Sequence, residues 1–365
     1  MTNSTTDVIC YYHDPVKGPL IRHAVLPALA AATRLGATGH LERHWLHGPH
    51  VRIRLDGPRA AAEAAAEVLR TYVADNPSTV DIPRSELLAQ AERNGLAELI
   101  LPPYEPLYPN NTVRIEPTDT SRLNDILGSD ILVDLRRTGL RLGVDAVRES
   151  LDAIADTTQE RVQLTVTAMA VHASRYPPGL GNGYHSFLSH LEDFLLASDP
   201  DGTIRARFDR IWERNSDQVV EAVERVAAGH PTNQLEAAWQ HWTIGMRLAG
   251  EDAYDWGYLK AAVNPRHGQI AYQTGDPATI QRYNAAERTK FSDYHTQLWE
   301  VDLDHPLVKR PLTVYRFATN VLYQLLAICD VTPMERYLAA DLMTRATQRI
   351  TGVAWSDHLA GMERK

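Results

Sequence analysis

Lysine is scarce in this chain. Only five of its 37 basic residues are lysine, at positions 17, 260, 290, 309 and 365, and the other 32 are arginine. Cysteine is scarcer still: Cys10 and Cys329 are the two in 365 residues, too few for a disulfide framework or a cysteine-based zinc site. Neither has an electropositive, exposed sequence context, which argues against a cysteine nucleophile. Long apolar runs are missing as well. No window reaches 18 apolar residues, and the opening MTNSTTDVICYYHD has no charged segment leading into an apolar one. The expectation is a soluble, cytoplasmic protein with no membrane partner. Positive charge is short: 37 basic against 46 acidic residues leave a formal charge of −9, a poor balance for binding nucleic acid. Phosphate-binding loops, dinucleotide fingerprints and serine elbows are also missing. The glycines of GLGNGYH at 179–185 follow two prolines rather than an apolar strand, and read as a loop before a helix.

What is present is enough for a large core, with 44% hydrophobic and 23% charged residues. DVICYYHD reads as a short strand. Pro19–Leu35 carries apolar residues at helical spacing and is closed by Gly36. RHWLHGPHVRIRLDG reads as a hairpin turning near Gly48-Pro49, with Val51, Ile53 and Leu55 alternating against His50, Arg52 and Arg54. Helices are expected at 59–75 and 84–96, an irregular proline-rich stretch at 102–117, and then a mostly helical remainder. Its helices are expected at 121–135, 144–155, 158–175, 185–197, 203–228, 233–248, 277–300, 312–328 and 333–351. The fold class is therefore α+β: a small, mostly antiparallel N-terminal sheet with flanking helices, and a larger helical part.

Tyr, His, Arg and Glu gather in the first 120 residues, a set suited to proton transfer and oxyanion stabilisation without a metal or organic cofactor. His40, His44, His47 and His50 fall within eleven residues, but on a hairpin, where a polar sheet face explains them better than a metal. His13, His44 or His50 could titrate near neutrality. Arg52 and Arg54 either hold a developing oxyanion or form the solvated face of an edge strand.

HWLHGPHVRIRLDG, PPYEPLYPNN, GYHSFLSHLEDFL and RFATNVLYQLLAICDVTPMERYLAADL occur in that order. Together they resemble the lantibiotic dehydratase C-terminal domain family, also called the thiopeptide-type bacteriocin biosynthesis domain. The resemblance covers nearly the whole chain and implies one domain over 1–365, with a sheet-containing part at 1–120 and a mainly helical part at 121–365. Members act on ribosomally made precursor peptides. Some eliminate glutamate from glutamylated Ser or Thr; stand-alone members join two dehydroalanines in a formal [4+2] aza-cycloaddition. They then lose water and leader peptide to leave a pyridine. Eliminating members carry a "YxREveRYGG" loop and an "HMxxNRL" helix. Here the loop reads YEPLYPNN, and RFATNVLY keeps Asn320 but places Arg316 where the family's histidine falls. Those departures favour the cyclase over the eliminase.

The resemblance assigns catalytic roles to His50, Glu105, Tyr108 and Arg52. It assigns substrate binding to Arg54, Arg316 and Asn320, with Tyr12, His13 and Arg22 added as neighbours on the same sheet. Ser189 and His190 lie on the SFLSHLEDFL helix, where His190 reads either as a substrate contact or as a core-edge histidine. The implied partner is a precursor peptide of leader plus dehydrated, azole-containing core, with a homodimer also expected. The alternatives are glutamate elimination and a non-catalytic leader-binding partner.

Overall fold

The computed structural model describes residues 4–154, 157–261, 266–284 and 286–364. Residue 155 of the helix expected over 144–155 and residue 285 of the one expected over 277–300 lie outside them. The chain is α+β and divides into two compact units: residues 1–152, 263–288 and 327–330 form the first, and 153–262, 289–326 and 331–365 the second.

The first unit is built on four antiparallel strands, β1 (Ser4–Tyr11), β2 (Thr38–His44), β3 (His50–Gly57) and β4 (Thr112–Pro117), in the order β2-β3-β1-β4. The hairpin between β2 and β3 turns at Gly48, whose φ of +112° suits a residue without a Cβ. Alternation then sorts the side chains. Val8 and Cys10 of β1 stand opposite Ile53 and Val51 of β3, with Leu41 of β2 on the other side of Ile53. That apolar face is buried, and α1 (Leu26–Arg34) and α2 (Arg59–Asp75) pack on it. A single π-helical turn, Ile21–Val25, leads into α1. Next in the chain comes α3 (Arg84–Glu98).

β3 is an interior strand, so Arg52 and Arg54 are not on a solvated edge. Their face is covered by α4 (Asp130–Leu142), which begins at the Ser129 cap and packs against β2. Arg54 has no exposed surface and grips Asp7 with two hydrogen bonds of 2.8 Å. Glu42, 3% exposed, accepts from Arg52 at 2.8 Å, from Arg136 of α4 at 3.0 and 3.2 Å, and lies 2.9 Å from His40. Burial pushes the Glu42 carboxyl up, but Arg136, Arg52 and His40 overcome it and hold it well below the usual carboxylate range.

The second unit is a helical bundle. Its helices are α5 (Thr158–Ser174), α6 (His185–Ser198), α7 (Thr203–Ala227), α8 (Gln234–Asp255), α9 (Asp293–Leu298), α10 (Pro306–Ile328), α11 (Pro333–Thr351) and α12 (Trp355–Ala360). Runs of small side chains, Ala168 to Ala173 with Met169 and Val171 on α5, and Ala339, Ala340 and Ala346 on α11, let these two helices pack closely at the centre. Capping boxes at Thr157/Glu160 and Thr332/Glu335 start both, and Arg161 bridges to Glu335 at 2.9 Å. A Cβ on Gly183 would sit 2.5 Å from the Ala173 carbonyl oxygen, so glycine is what lets the turn before α6 lie against α5.

Several expected boundaries move. The helix expected at 121–135 breaks at Gly128, in the left-handed region, and Ser129 caps a new helix. The one expected at 277–300 resolves into Pro277–Tyr283 and α9. GLGNGYH contains a helical turn, Leu180–Gly183, rather than only loop. The irregular 102–117 stretch ends in β4, whose pairing with β1 spans a hundred residues and has no local signal. Among the described residues no helix is long and apolar enough to cross a membrane.

Glu42→Gln should destabilise the protein by about 3–5 kcal/mol, because buried guanidiniums lose their counter-charge. Urea unfolding at pH 7 measures this; a loss below about 1 kcal/mol would show that the cluster carries little stability.

Candidate functional site

Most residues expected to act in the N-terminal part are engaged within the first unit. Arg54 is held by Asp7 and Arg52 by Glu42. His50 is buried, its Nδ1–H donates to the Gly48 carbonyl at 2.9 Å, and burial with the nearby Arg52 charge pulls its pKa down to about 3. His44 is also held well below its usual value and His13 is lowered, both chiefly by burial. The four clustered histidines do not converge: His40 meets Glu42, His44 accepts from the Leu46 amide, and His47 faces the Tyr104 carbonyl.

Tyr108 stacks near Tyr11 at 4.9 Å, with the Arg114 guanidinium 4.1 Å from its ring. Tyr12 donates to the Asn76 carbonyl, Arg22 to the Leu151 carbonyl, and the backbone N–H of His13 to Asn110. Glu105 is exposed and paired with Arg84. His50 and Tyr108 thus meet around Tyr11, while Glu105 stands apart on the surface.

The second unit holds a different arrangement. A cavity of about 690 Å3, counted with its open mouth, is walled by Leu298, Leu303, Leu307, Val308, Leu312 and Met362. Its polar groups include His185, Ser186 and Ser189 of α6, Tyr294 of α9 and Arg316 of α10, with Asn182 from the turn before α6 and Tyr176 beside them. The mix of an apolar wall with a few converging polar groups fits a small-ligand site.

Helical spacing explains the first set. Positions 185, 189 and 193 recur every four residues, so they form one stripe on α6, beside the apolar stripe of Phe187, Leu188, Leu191 and Leu195 that faces the core. Ser292 caps α9 by accepting from the His295 amide at 3.3 Å, which sets Tyr294 and His295 in the first turn.

Two hydrogen-bonded groups result. Ser189 Oγ lies 3.0 Å from His295 Nε2, while His295 Nδ1 lies 2.8 Å from Ser292 Oγ and 3.5 Å from Asp193 Oδ1. His185 Nδ1 lies 3.2 Å from Tyr294 Oη, and its Nε2 3.1 Å from His358 Nδ1. Burial, with His358 adding to it, pulls His185 down to about 3, and burial pushes the Tyr294 hydroxyl up; both are neutral at pH 7.

Arg316 stands out among the expected residues. It is half-buried and lines the cavity, and no hydrogen bond or ion pair with another described residue engages its guanidinium. Burial lowers its pKa, opposed by Tyr294, Asp193 and Tyr323, yet a guanidinium remains charged. Asn320, one turn on, is exposed, and its carbonyl accepts from Gln324. His190 Nδ1 bonds Tyr323 Oη at 3.0 Å. Of the residues singled out from sequence, Arg316 and Ser189 meet at the cavity.

No family model matches the chain, and no curated protein matches it. Solved structures do. The chain superposes on "Pyridine synthase, TbtD, from thiomuracin biosynthesis" with a TM-score of 0.68, at 20% identity, over 96% of this chain and 100% of that one. It shares that fold. A second solved structure, TsrL, matches with a TM-score of 0.62 at 16% identity over the full length of both chains. At these identities the likeness is one of fold.

His50 and His172 are both buried with pKa values near 3, against about 6.5 in the unfolded chain. Below pH 6.5 the unfolded chain binds their protons and the folded one does not. Each histidine should therefore cost about 1.4 kcal/mol of stability per pH unit as pH falls from 6.5 toward 3. Urea midpoints at pH 7 and pH 5 test this, and equal midpoints would mean that these imidazoles are solvated.

Proposed function

We propose that this protein is a maturation enzyme for ribosomally made peptides, a pyridine synthase that joins two dehydroalanines by a formal [4+2] aza-cycloaddition. The observation that carries the reading is Arg316, a charged side chain that bonds no carboxylate among the described residues and lines a cavity of largely apolar walls. The shared fold with a structure titled as a pyridine synthase supports it.

An amide between two alkenes must become its imidic tautomer to serve as the four-atom component. Its oxygen gains negative character as the nitrogen loses its proton. A guanidinium held ready beside apolar walls stabilises that oxygen without reorganising at the moment of reaction. Ser189 and His295 form the neighbouring proton-transfer pair. With Nδ1–H of His295 directed at Ser292 and Asp193, the Nε2 lone pair faces the Ser189 hydroxyl, so a proton can pass between substrate and imidazole. Leu298, Leu303, Leu307, Val308 and Leu312 hold the apolar alkenes and flanking azoles in register, where alignment supplies much of the acceleration. Loss of water and of the leader then gives the aromatic ring.

The N-terminal residues His50, Arg52 and Tyr108 enter this reading as supports of the sheet unit rather than as proton carriers. The chemistry asks for no metal or organic cofactor.

A synthetic leader-core peptide with two dehydroalanines should lose water and the leader carboxamide by mass. Arg316→Met should slow that step about 100- to 1,000-fold while peptide affinity changes much less. Release of free glutamate from a glutamylated peptide would support elimination instead. Tight leader binding with no mass change would mark a non-catalytic peptide binder.

A further inference from the structure

The group around Ser189 has a second chemical capability. A serine becomes a nucleophile when an imidazole nitrogen accepts its proton and a third group fixes that imidazole's tautomer. Here the hydroxyl is 3.0 Å from His295 Nε2, within the range such pairs need. The opposite ring nitrogen faces Ser292 Oγ at 2.8 Å and the Asp193 carboxylate at 3.5 Å, acceptors that keep the proton on Nδ1 and the lone pair on Nε2. Asp193 follows Ser189 by one helical turn on α6, so nucleophile and carboxylate share a rigid element. Ser189 also lines the cavity that contains Arg316, whose guanidinium bonds no acceptor among the described residues and can face an oxyanion. Nucleophile, base, orienting acceptors and a cation therefore gather at one cavity.

We infer that Ser189 is a reactive nucleophile served by His295, and that this cavity carries out acyl transfer from ester substrates. Ser189 Oγ attacks the ester carbonyl carbon while its proton passes to His295 Nε2. The carbon–oxygen bond to the leaving alcohol breaks as Nε2 returns that proton to it, leaving an acyl-serine. Water, deprotonated by the same nitrogen, then attacks the acyl carbon, giving a carboxylic acid and restoring the serine. Arg316 suits acyl groups that bear a carboxylate. The apolar wall suits an alcohol carried on an uncharged peptide or aromatic group. Ring formation needs no acyl-enzyme, so this capability stands apart from the reading above.

The test uses the whole protein with an alkyl fluorophosphonate and intact-mass detection. Attack by Ser189 expels fluoride and leaves a stable phosphonyl-serine, and peptide mapping of the wild-type protein shows which residue carries it. The expected result is one adduct, at Ser189. His295→Gln should slow labelling at least about a hundredfold, the usual size of a lost general base. Exposed Ser198, on the same helix, serves as the control, and Ser198→Ala should label normally. Circular dichroism confirms that the variants fold, and the mapped wild-type adduct decides the matter if one does not. No adduct, an adduct at another residue, or unchanged labelling in folded His295→Gln would each overturn the inference. The cyclisation assay reads a different product, so either proposal can fail alone.

Discussion

Glu42, buried between the second face of the sheet and α4, accepts from Arg52 and Arg136, and beside it Arg54 is bound to Asp7 with no surface exposed to water. Charges taken out of water cost several kcal/mol each unless they are paired and hydrogen-bonded. The first unit meets that requirement by using its arginines on its own carboxylates. Asp56 completes the pattern at the strand end, receiving Arg137 and Arg141 of α4. A guanidinium so engaged does not release its carboxylate for a substrate without exposing a bare buried charge. That constraint separates the arginines that hold the first unit from Arg316, which lines the cavity and bonds no carboxylate among the described residues.

The cavity of the second unit follows the opposite logic. Its wall is mostly aliphatic, its imidazole and phenol groups are kept neutral by burial, and its one guanidinium is unopposed by a bonded carboxylate. Such a site concentrates positive potential at one point of a largely apolar surface. Both proposed reactions use that point to stabilise oxygen, and both use His295 to hold a proton. They differ in whether Ser189 relays the proton or forms a bond.

Much of this was legible where local spacing decides it. Val51, Ile53 and Leu55 alternate on β3, and the helices at 59–75 and 333–351 have the expected ends. Arg316 is visible in the sequence as the position where the family resemblance would place a histidine. The nature of its surroundings is not, because Tyr294 and His295 come from a helix about a hundred residues after α6. The 185, 189, 193 stripe was the available signal for the site: a polar row at helical spacing beside an apolar one. Alternation alone leaves the charged face of β3 two roles, an oxyanion holder or a solvated edge. Neither anticipates β1 and β2 on both sides with α4 above, since strand order and a covering helix are long-range choices.

Sequence by itself determined the balance of charge, the shortage of cysteine, the α+β class and the period of each element, because composition and side-chain periodicity act over a few residues. Tertiary structure decided which charges are spent. Arg54 and Arg316 look alike in the chain. One is placed within 2.8 Å of a carboxylate and the other in an apolar cavity with none bonded to it, and the availability of a guanidinium depends on that neighbour.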